Sequence, residues 1–416
     1  MPAPGAGRRR LSRPGVASGY EMRKAVSLPG ESLVFPLRMD PIYLDHNAGA
    51  PLRPEALRAL SAAHAQLFGN ASSAHSFGAE ARAALSRARR QVATLAGVAP
   101  ETLVFTSGAT ESNNTVLCQV AAGAHVVVSA TEHPSVLEAL AALRARGVRV
   151  TAVPVVRDGR LDPARFAAAL EPGTALASVQ TANHETGVLQ PIAELAAAAA
   201  ERGVPFHTDA AQALGKTALE LASLPVDYAS FSAHKLGGPK GAGALYVRSG
   251  APLAPLLRGG AQERGRRAGT ENVPAIAGFG AACEAARAEL AESSARLARL
   301  RDSLWVGLAR AVPDAVRNGT PEHVLPHVLD VSLPGASGEA LVEALDLEGI
   351  AASTGSACHS GSTEPSPVLL AMGVPEALAR AALRFSLGPS NDAAQIEYVL
   401  ARLPALIERV RRSRAA

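Results

Sequence analysis

Between about residues 100 and 250 the chain alternates short apolar, often β-branched runs with longer stretches that have helical spacing. The runs 103–106, 125–129, 150–155, 174–179, 205–208, 227–232 and 244–247 predict strands. Amphipathic or alanine-rich stretches such as 134–146 and 192–202 predict the helices between them. Strand–helix alternation implies a mainly parallel, seven-stranded sheet covered on both faces, hence an α/β fold. Farther on, 274–311 reads as one long helix ending near Pro313. After it come a strand at 328–333, a helix at 338–347, a Ser/Gly-rich segment at 353–363, a strand at 383–386 and a last helix from Asp392. The long helix leads into a second domain, and the chain is expected to divide into a large domain, 55–290, and a smaller α/β domain made of 40–54 and 291–416. No internal repeat is found.

Composition refines this picture. Hydrophobic residues are 48% of the chain but aromatics only 4%, so the core is built largely from small side chains such as alanine. There is no uncharged apolar run of about 18 residues, so no membrane span is expected. The net charge of +4 sits in residues 1–38, which hold seven basic and two acidic residues, and the rest of the chain is nearly neutral. The body therefore offers no basis for nucleic-acid binding. Residues 1–38 are rich in Pro, Gly and Arg and lack the apolar centre of a secretory signal. They are expected to be a disordered or non-native extension, with Met39 an alternative start. Three widely spaced cysteines make neither a disulfide framework nor a zinc site, and a reducing, cytoplasmic setting is expected.

Candidate chemistry starts with lysine. The chain has thirty-seven arginines and four lysines, one of which is Lys235 in the string Phe231-Ser232-Ala233-His234-Lys235-Leu236-Gly237-Gly238. Arginine stays protonated in proteins, whereas a lysine amine can release its proton and form a Schiff base. Lys235, directly after a strand, is thus the candidate for a covalent link to pyridoxal phosphate. Lys216 and Lys240 read as solvent-facing or loop lysines. Ligands of such sheets bind beyond the carboxyl ends of the strands, which directs attention to the residues there. Ser107–Asn114 leads into a helix whose N-terminus suits a phosphate, though Ser/Thr-x-x-Glu is also an ordinary cap. His133 suits ring stacking and proton relay, or simply helix entry. Asp209 suits a pyridinium nitrogen, or a structural cap. Ser232 and His234 can donate to a phosphate beside Lys235. Cys358 lies on a polar Ser/Gly-rich loop, where a thiol is exposed and reactive. Cys118 and Cys283, among Ala, Val and Leu, read as buried and inert. His359 beside Cys358 lacks the further ligands a metal site needs.

Read jointly, these residues resemble the cysteine desulfurase family, class-V aminotransferase-like pyridoxal phosphate enzymes that include the selenocysteine lyases. The similarity spans about 41–405. Its strings are Tyr43-Leu44-Asp45-His46-Asn47-Ala48, Gly69-Asn70-Ala71-Ser72-Ser73, Thr106-Ser107-Gly108-Ala109-Thr110-Glu111-Ser112, Asn183-His184-Glu185-Thr186-Gly187, Ser232-Ala233-His234-Lys235, Gly269-Thr270-Glu271-Asn272, Gly355-Ser356-Ala357-Cys358 and Arg384-Phe385-Ser386-Leu387-Gly388.

The resemblance implies the aspartate aminotransferase-like fold (fold type I) and a set of roles. Lys235 carries the cofactor, Asp209 pairs its ring nitrogen and His133 stacks on the ring. Gln212, Asn183 and His184 lie near the ring hydroxyl. Ala109, Thr110, Ser232, Ala233 and His234 surround the phosphate, with Thr270 reaching in from a second subunit, so a homodimer with shared sites is implied. Arg384 clamps the substrate carboxylate. L-cysteine would yield L-alanine while Cys358 takes the sulfur as a persulfide for an unidentified acceptor protein, serving iron–sulfur cluster or thio-cofactor biosynthesis. Selenocysteine lyase is the alternative, followed by another pyridoxal phosphate aminotransferase or lyase, and then by a non-enzymatic sulfur-relay surface. His184 replaces a second Asn common in relatives, and His46 and Gly49 replace the usual Tyr and Thr. The segment between Cys358 and Val368 resembles the longer-loop subgroup. The short end after Leu406–Arg409 is read as lacking the segment with which housekeeping members dock their scaffold, so a different partner is expected.

Overall fold

The computed structural model describes residues 41–355 and 364–415. Its centre is a seven-stranded sheet in the order Leu103–Thr106, Gly243–Val247, Tyr228–Ser232, Phe206–Asp209, Thr174–Ser178, His125–Ser129, Arg149–Val153. Gly243–Val247 runs antiparallel to both neighbours, and the remaining pairings are parallel. Apolar runs without alternation, such as Val126–Val128, suit strands buried on both faces. Arg149–Val153 alternates more and is largely exposed, as an edge strand can be.

Helices cover both faces. One core gathers Leu103, Phe105, Phe166, Phe206 and Phe231 with the helices Pro54–Gln66, Ser76–Ala96 and the first half of Val273–Ala311. A second lies on the other side of the sheet around Val116, Leu117, Val126, Val128 and Leu140. The 39-residue helix Val273–Ala311, at about 1.5 Å per residue, is long enough to serve two cores. Ile276, Phe279 and Cys283 pack in the first, while Leu304 and Leu308 pack in a third with Ile42, Leu44, Leu341, Phe385 and Leu403. There Val328–Ser332 pairs antiparallel with both Ala382–Ser386 and Val316–Arg317. The short strand Ile42–Tyr43 runs parallel to Ile350–Ala351. That pairing brings the start of the described chain beside its last third.

All seven expected strands of the large sheet form, with ends moved by at most two residues. The expected 150–155 strand stops at Val153, before Pro154, which has no N–H to give the ladder. Helices Pro54–Gln66, Ser76–Ala96 and Pro163–Ala169 were not anticipated. Cys283 is buried as expected, but Cys118 is exposed, because it caps the end of its helix rather than facing inward.

Candidate active site

The helix Ala109–Leu117 starts two residues after the strand Leu103–Thr106, and its N-cap, Gly108, offers no side-chain cap. Glu111 accepts from the Ser107 N–H at 2.8 Å and pairs with Arg267 at 2.9 Å. Its carboxylate thus braces the approach to the helix, and the N–H groups of Ala109 and Thr110 remain for an anion. The helix can sit this close to the sheet because position 243 is glycine. A Cβ there would stand 2.5 Å from both Gly108 Cα and the Phe231 carbonyl oxygen. The Ser232 hydroxyl faces the same spot, 3.7 Å from where a Gly108 Cβ would be. His234 Nδ1 is buried with no partner among the described residues. Burial, then the charges of Lys235, Lys216 and Lys240, lower the pKa of His234 to about 4.

Asp209 closes the strand Phe206–Asp209 and is 6% exposed. Its Oδ2 accepts from Asn113 Nδ2 at 2.7 Å and its Oδ1 from the Ala211 N–H at 2.9 Å. Asn113 also reaches Ser135 Oγ at 2.8 Å. Ser135 in turn holds His133, whose Nδ1 accepts from the Ser135 N–H at 3.1 Å and lies 2.8 Å from Ser135 Oγ. With Nδ1 an acceptor, the neutral ring carries its proton on Nε2. Burial first, then His184, lowers the His133 pKa to about 4 against the opposite pull of Asp209. The His133 and His184 rings meet edge-on, 5.0 Å between centroids.

Lys235 ends a single 3₁₀ turn, Ala233–Lys235, directly after the strand Tyr228–Ser232. Ala233 is buried and its N–H donates to Ala242 O at 3.0 Å, which fixes the turn against the next strand. Lys235 Nζ donates to the carbonyls of Asn47 at 2.6 Å and Ala48 at 3.2 Å. Asn47 O also accepts from Gln212 Nε2 at 3.0 Å. Asn47 Oδ1 lies 2.8 Å from His327 Nε2 and accepts from Lys216 Nζ at 3.3 Å. Lys216 also donates to Gln212 Oε1 at 2.8 Å. The expectation of a solvent-facing Lys216 is corrected: its stem is half-buried and its amine is enclosed beside the site. Burial, then Lys235 and Arg384, hold its pKa well below the usual lysine value.

Arg384, in the strand Ala382–Ser386, arrives from the far end of the chain and pairs with Asp45 at 2.6 Å. Its Nη1 donates to the carbonyls of His184 at 2.8 Å and Gly355 at 3.2 Å. The Asn183 side chain serves its own turn. Its Oδ1 accepts from the N–H groups of Glu185 and Thr186, and its Nδ2 donates to Thr131 O at 3.2 Å. Thr270 is exposed just before the long helix. Cys358 lies outside the described residues. Sequence reading missed Asn47, Asn113, Lys216 and Asp45 as site residues. Asn47 and Asp45 stand in the quoted Tyr43–Ala48 string, whereas nothing local marks Asn113 or Lys216.

The residues present fit pyridoxal phosphate. An uncapped helix N-terminus and a buried His234 nitrogen without a partner among the described residues suit a phosphate, Asp209 suits a cationic ring nitrogen, and Lys235 offers the amine a Schiff base needs.

Comparisons agree with this geometry. The family model described as Aminotransferase class-V matches residues 42–399. A cysteine desulfurase of Gluconacetobacter diazotrophicus is 47% identical over 379 residues, covering 90% of this chain and 95% of that protein. The solved structure of a NifS-like protein superposes with a TM-score of 0.82 at 35% identity, over 88% of this chain and 99% of its own. A structure titled SspA in complex with cysteine gives 0.74 at 32% identity, over 84% and 100%.

Proposed function

This chain belongs to the cysteine desulfurases of the class-V aminotransferase family, which depend on pyridoxal phosphate, and we propose that it converts L-cysteine to L-alanine and passes the sulfur on. The observation that carries this reading is the meeting of an amine and a guanidinium on one short segment. Lys235 Nζ is held by the carbonyls of Asn47 and Ala48, and Arg384 by the Asp45 carboxylate. An α-amino acid presents a carboxylate for the guanidinium and, one carbon away, an amine that can take the place of the Lys235 amine on the cofactor. The related SspA structure was solved in complex with cysteine.

In this reading Lys235 would bond the cofactor, Asp209 would pair its ring nitrogen, and Ala109, Thr110, Ser232, Ala233 and His234 would hold its phosphate. Gln212 and His184 would serve its ring hydroxyl, with Asn183 shaping the turn that carries His184. When bound, pyridoxal phosphate supplies an electron sink that makes the substrate Cα–H acidic. Arg384 orients the substrate by its carboxylate. The Lys235 amine takes the Cα proton, and His133 holds and returns a proton at Nε2. Cys358, as thiolate, bonds to the substrate sulfur as the C–S bond breaks, which leaves a persulfide on Cys358 and, after protonation, L-alanine. No external oxidant or reductant is needed: one cysteine and one thiol become one alanine and one persulfide.

The reading extends to a homodimer in which Thr270 serves the partner's site, to a protein acceptor for the sulfur and to a cytoplasmic setting. Its supports are the exposure of Thr270 and the free thiols of Cys118 and Cys283. No helix among the described residues is long and apolar enough to cross a membrane.

The test adds L-cysteine to the purified holoenzyme. Alanine should form, one sulfur should appear by mass spectrometry on the Cys358 peptide, and borohydride should fix the cofactor on the Lys235 peptide. Cys358→Ala should bind cofactor normally yet lose more than 99% of alanine formation. Full turnover in that variant would overturn the role of Cys358, and borohydride fixation elsewhere that of Lys235.

A further inference from the structure

The surroundings of Arg384 restrict how it can take a carboxylate. A guanidinium offers five N–H groups and two forks that match a planar carboxylate: end-on, from one hydrogen of each Nη, and side-on, from Nε and Nη2. Both Nη1 hydrogens are spent on main-chain carbonyls, those of His184 at 2.8 Å and Gly355 at 3.2 Å. The end-on fork is therefore closed unless a carbonyl is displaced. Nη2 donates to Asp45 Oδ1 at 2.6 Å and has one further hydrogen. Nε is buried and has no partner among the described residues. The side chain as a whole is only 3% exposed, so water does not compensate the bare Nε.

Asp45 is itself well fixed. Its carbonyl accepts from Tyr43 Oη at 2.9 Å and from the Ala48 N–H at 3.1 Å, and its backbone bridges Ser386, two residues beyond Arg384. The Arg384 backbone is pinned to Ser353 in both directions, at 2.7 and 3.2 Å. Besides the two Nη1 bonds, the Asp45 contact is the one further hydrogen bond of the guanidinium among the described residues, and the one made by a charged acceptor.

We propose that Asp45 is the positioning residue for Arg384, holding its guanidinium so that the Nε–Nη2 fork is the one left for the carboxylate of an α-amino acid, which docks side-on. This rests on the reading of Arg384 as the carboxylate clamp. Two effects of Asp45 oppose each other and can be separated. Its charge weakens Arg384 as an anion receptor, whereas its acceptor oxygen aims the fork. Asp45→Asn removes the charge and keeps an acceptor, while Asp45→Ala removes both.

The experiment measures binding of L-alanine and of ethylamine, its carboxylate-free counterpart, to the holoenzyme through the cofactor's visible absorbance, with KM and kcat for L-cysteine alongside. In Asp45→Ala the preference for L-alanine over ethylamine should fall at least about tenfold, the loss expected when a charge-assisted pair is misaligned. KM should rise more than kcat falls. In Asp45→Asn the preference should stay within about threefold of wild type, or increase. If Asp45→Ala does not fold, Asp45→Ser, whose hydroxyl falls short of Nη2, carries the same expectation. A preference unchanged in Asp45→Ala, or increased in both Ala and Asn variants, overturns the proposal and leaves Arg384 as clamp. A wild type with no preference for L-alanine sinks the clamp reading and the proposal with it.

Discussion

His207, two residues before Asp209, shows how a single residue ties the stability of the central sheet to pH. Wholly buried, its Nδ1 lies 2.8 Å from Ser178 Oγ and its Nε2 3.0 Å from Ser230 Oγ, across two neighbouring strands. Burial lowers its pKa to about 4, and burial is also the first cause of the same value at His46, His133 and His234. In the unfolded chain these imidazoles titrate near about 6.5. At these four groups the unfolded state binds more protons than the folded one between about pH 6.5 and 4, so their contribution is complete above the unfolded value and erodes as pH falls through this window. Buried Asp330, raised to about 8, and Glu132, also raised by burial, act in the opposite sense and offset part of the loss. His207 alone accounts for up to roughly 3 kcal/mol of that loss. Thermal melts of the wild type should fall steeply from pH 6.5 to 4.5. Those of His207→Gln should start lower at pH 7 but decline less, and parallel slopes would show that His207 does not contribute. Other site residues divide by how local their signals are. Lys235, Asp209 and His133 were legible as candidates because each lies at or just beyond the carboxyl end of a strand, where an α/β sheet places its ligands. Asn47 was named in a string but its role was not, because Lys235 and Gln212 reach it from 188 and 165 residues away. Lys216 was misread for the same reason: its two acceptors become visible only once the chain is folded.

Among the elements, the helix Ala109–Leu117 depends on its neighbour's glycine. Gly243 lies opposite Thr106 in one ladder and Ser232 in the next, between two stretches assigned to the phosphate. Any side chain there meets backbone on both sides, and backbone cannot turn aside as a flexible side chain can. Gly243→Ala should therefore cost about 1–3 kcal/mol of stability, the range for overpacking. It should also weaken cofactor binding several-fold by tilting the helix N-terminus, while kcat of the loaded enzyme changes less. Melting temperature and a cofactor titration check both, and an unchanged affinity would mean that the helix does not depend on this contact. The strands of this sheet were legible because a strand buried on both faces needs a continuous apolar run with β-branched residues. Helices Pro54–Gln66 and Ser76–Ala96 were not. Their inward faces are mostly alanine, such as Ala56, Ala81, Ala84 and Ala88, set among arginines, so apolar periodicity is weak. What makes them helices in the fold is close packing on Val273–Ala311, a partner some two hundred residues away.

At the scale of the whole molecule, one chain leaves its proposed site short of a contact. The resemblance assigns Thr270 to the cofactor phosphate, yet Thr270 is exposed while Ser232 and Asp209 are buried. Phe68 and Phe77, with rings 5.0 Å apart, are also 75% and 49% exposed, apolar surface that a second copy would cover. A shared site makes a prediction that stability measurements on either variant alone cannot. Thr270→Val should weaken cofactor binding about tenfold, the scale of one lost hydrogen bond to a charged group, and Lys235→Ala should abolish turnover. Two differently tagged chains, one carrying each substitution, can be coexpressed and the mixed dimer isolated. If Thr270 crosses to the partner, one of its two sites has an intact lysine facing an intact threonine, whereas the other lacks both. The mixed dimer should then bind one cofactor with wild-type affinity and show half the wild-type turnover per dimer, more than either parent at limiting cofactor. If Thr270 acts within its own chain, each site retains one substitution, and the mixed dimer can do no better at limiting cofactor than half of the Thr270→Val parent. The two outcomes differ about tenfold, because the lysine-bearing site keeps or loses its threonine according to which chain supplies it.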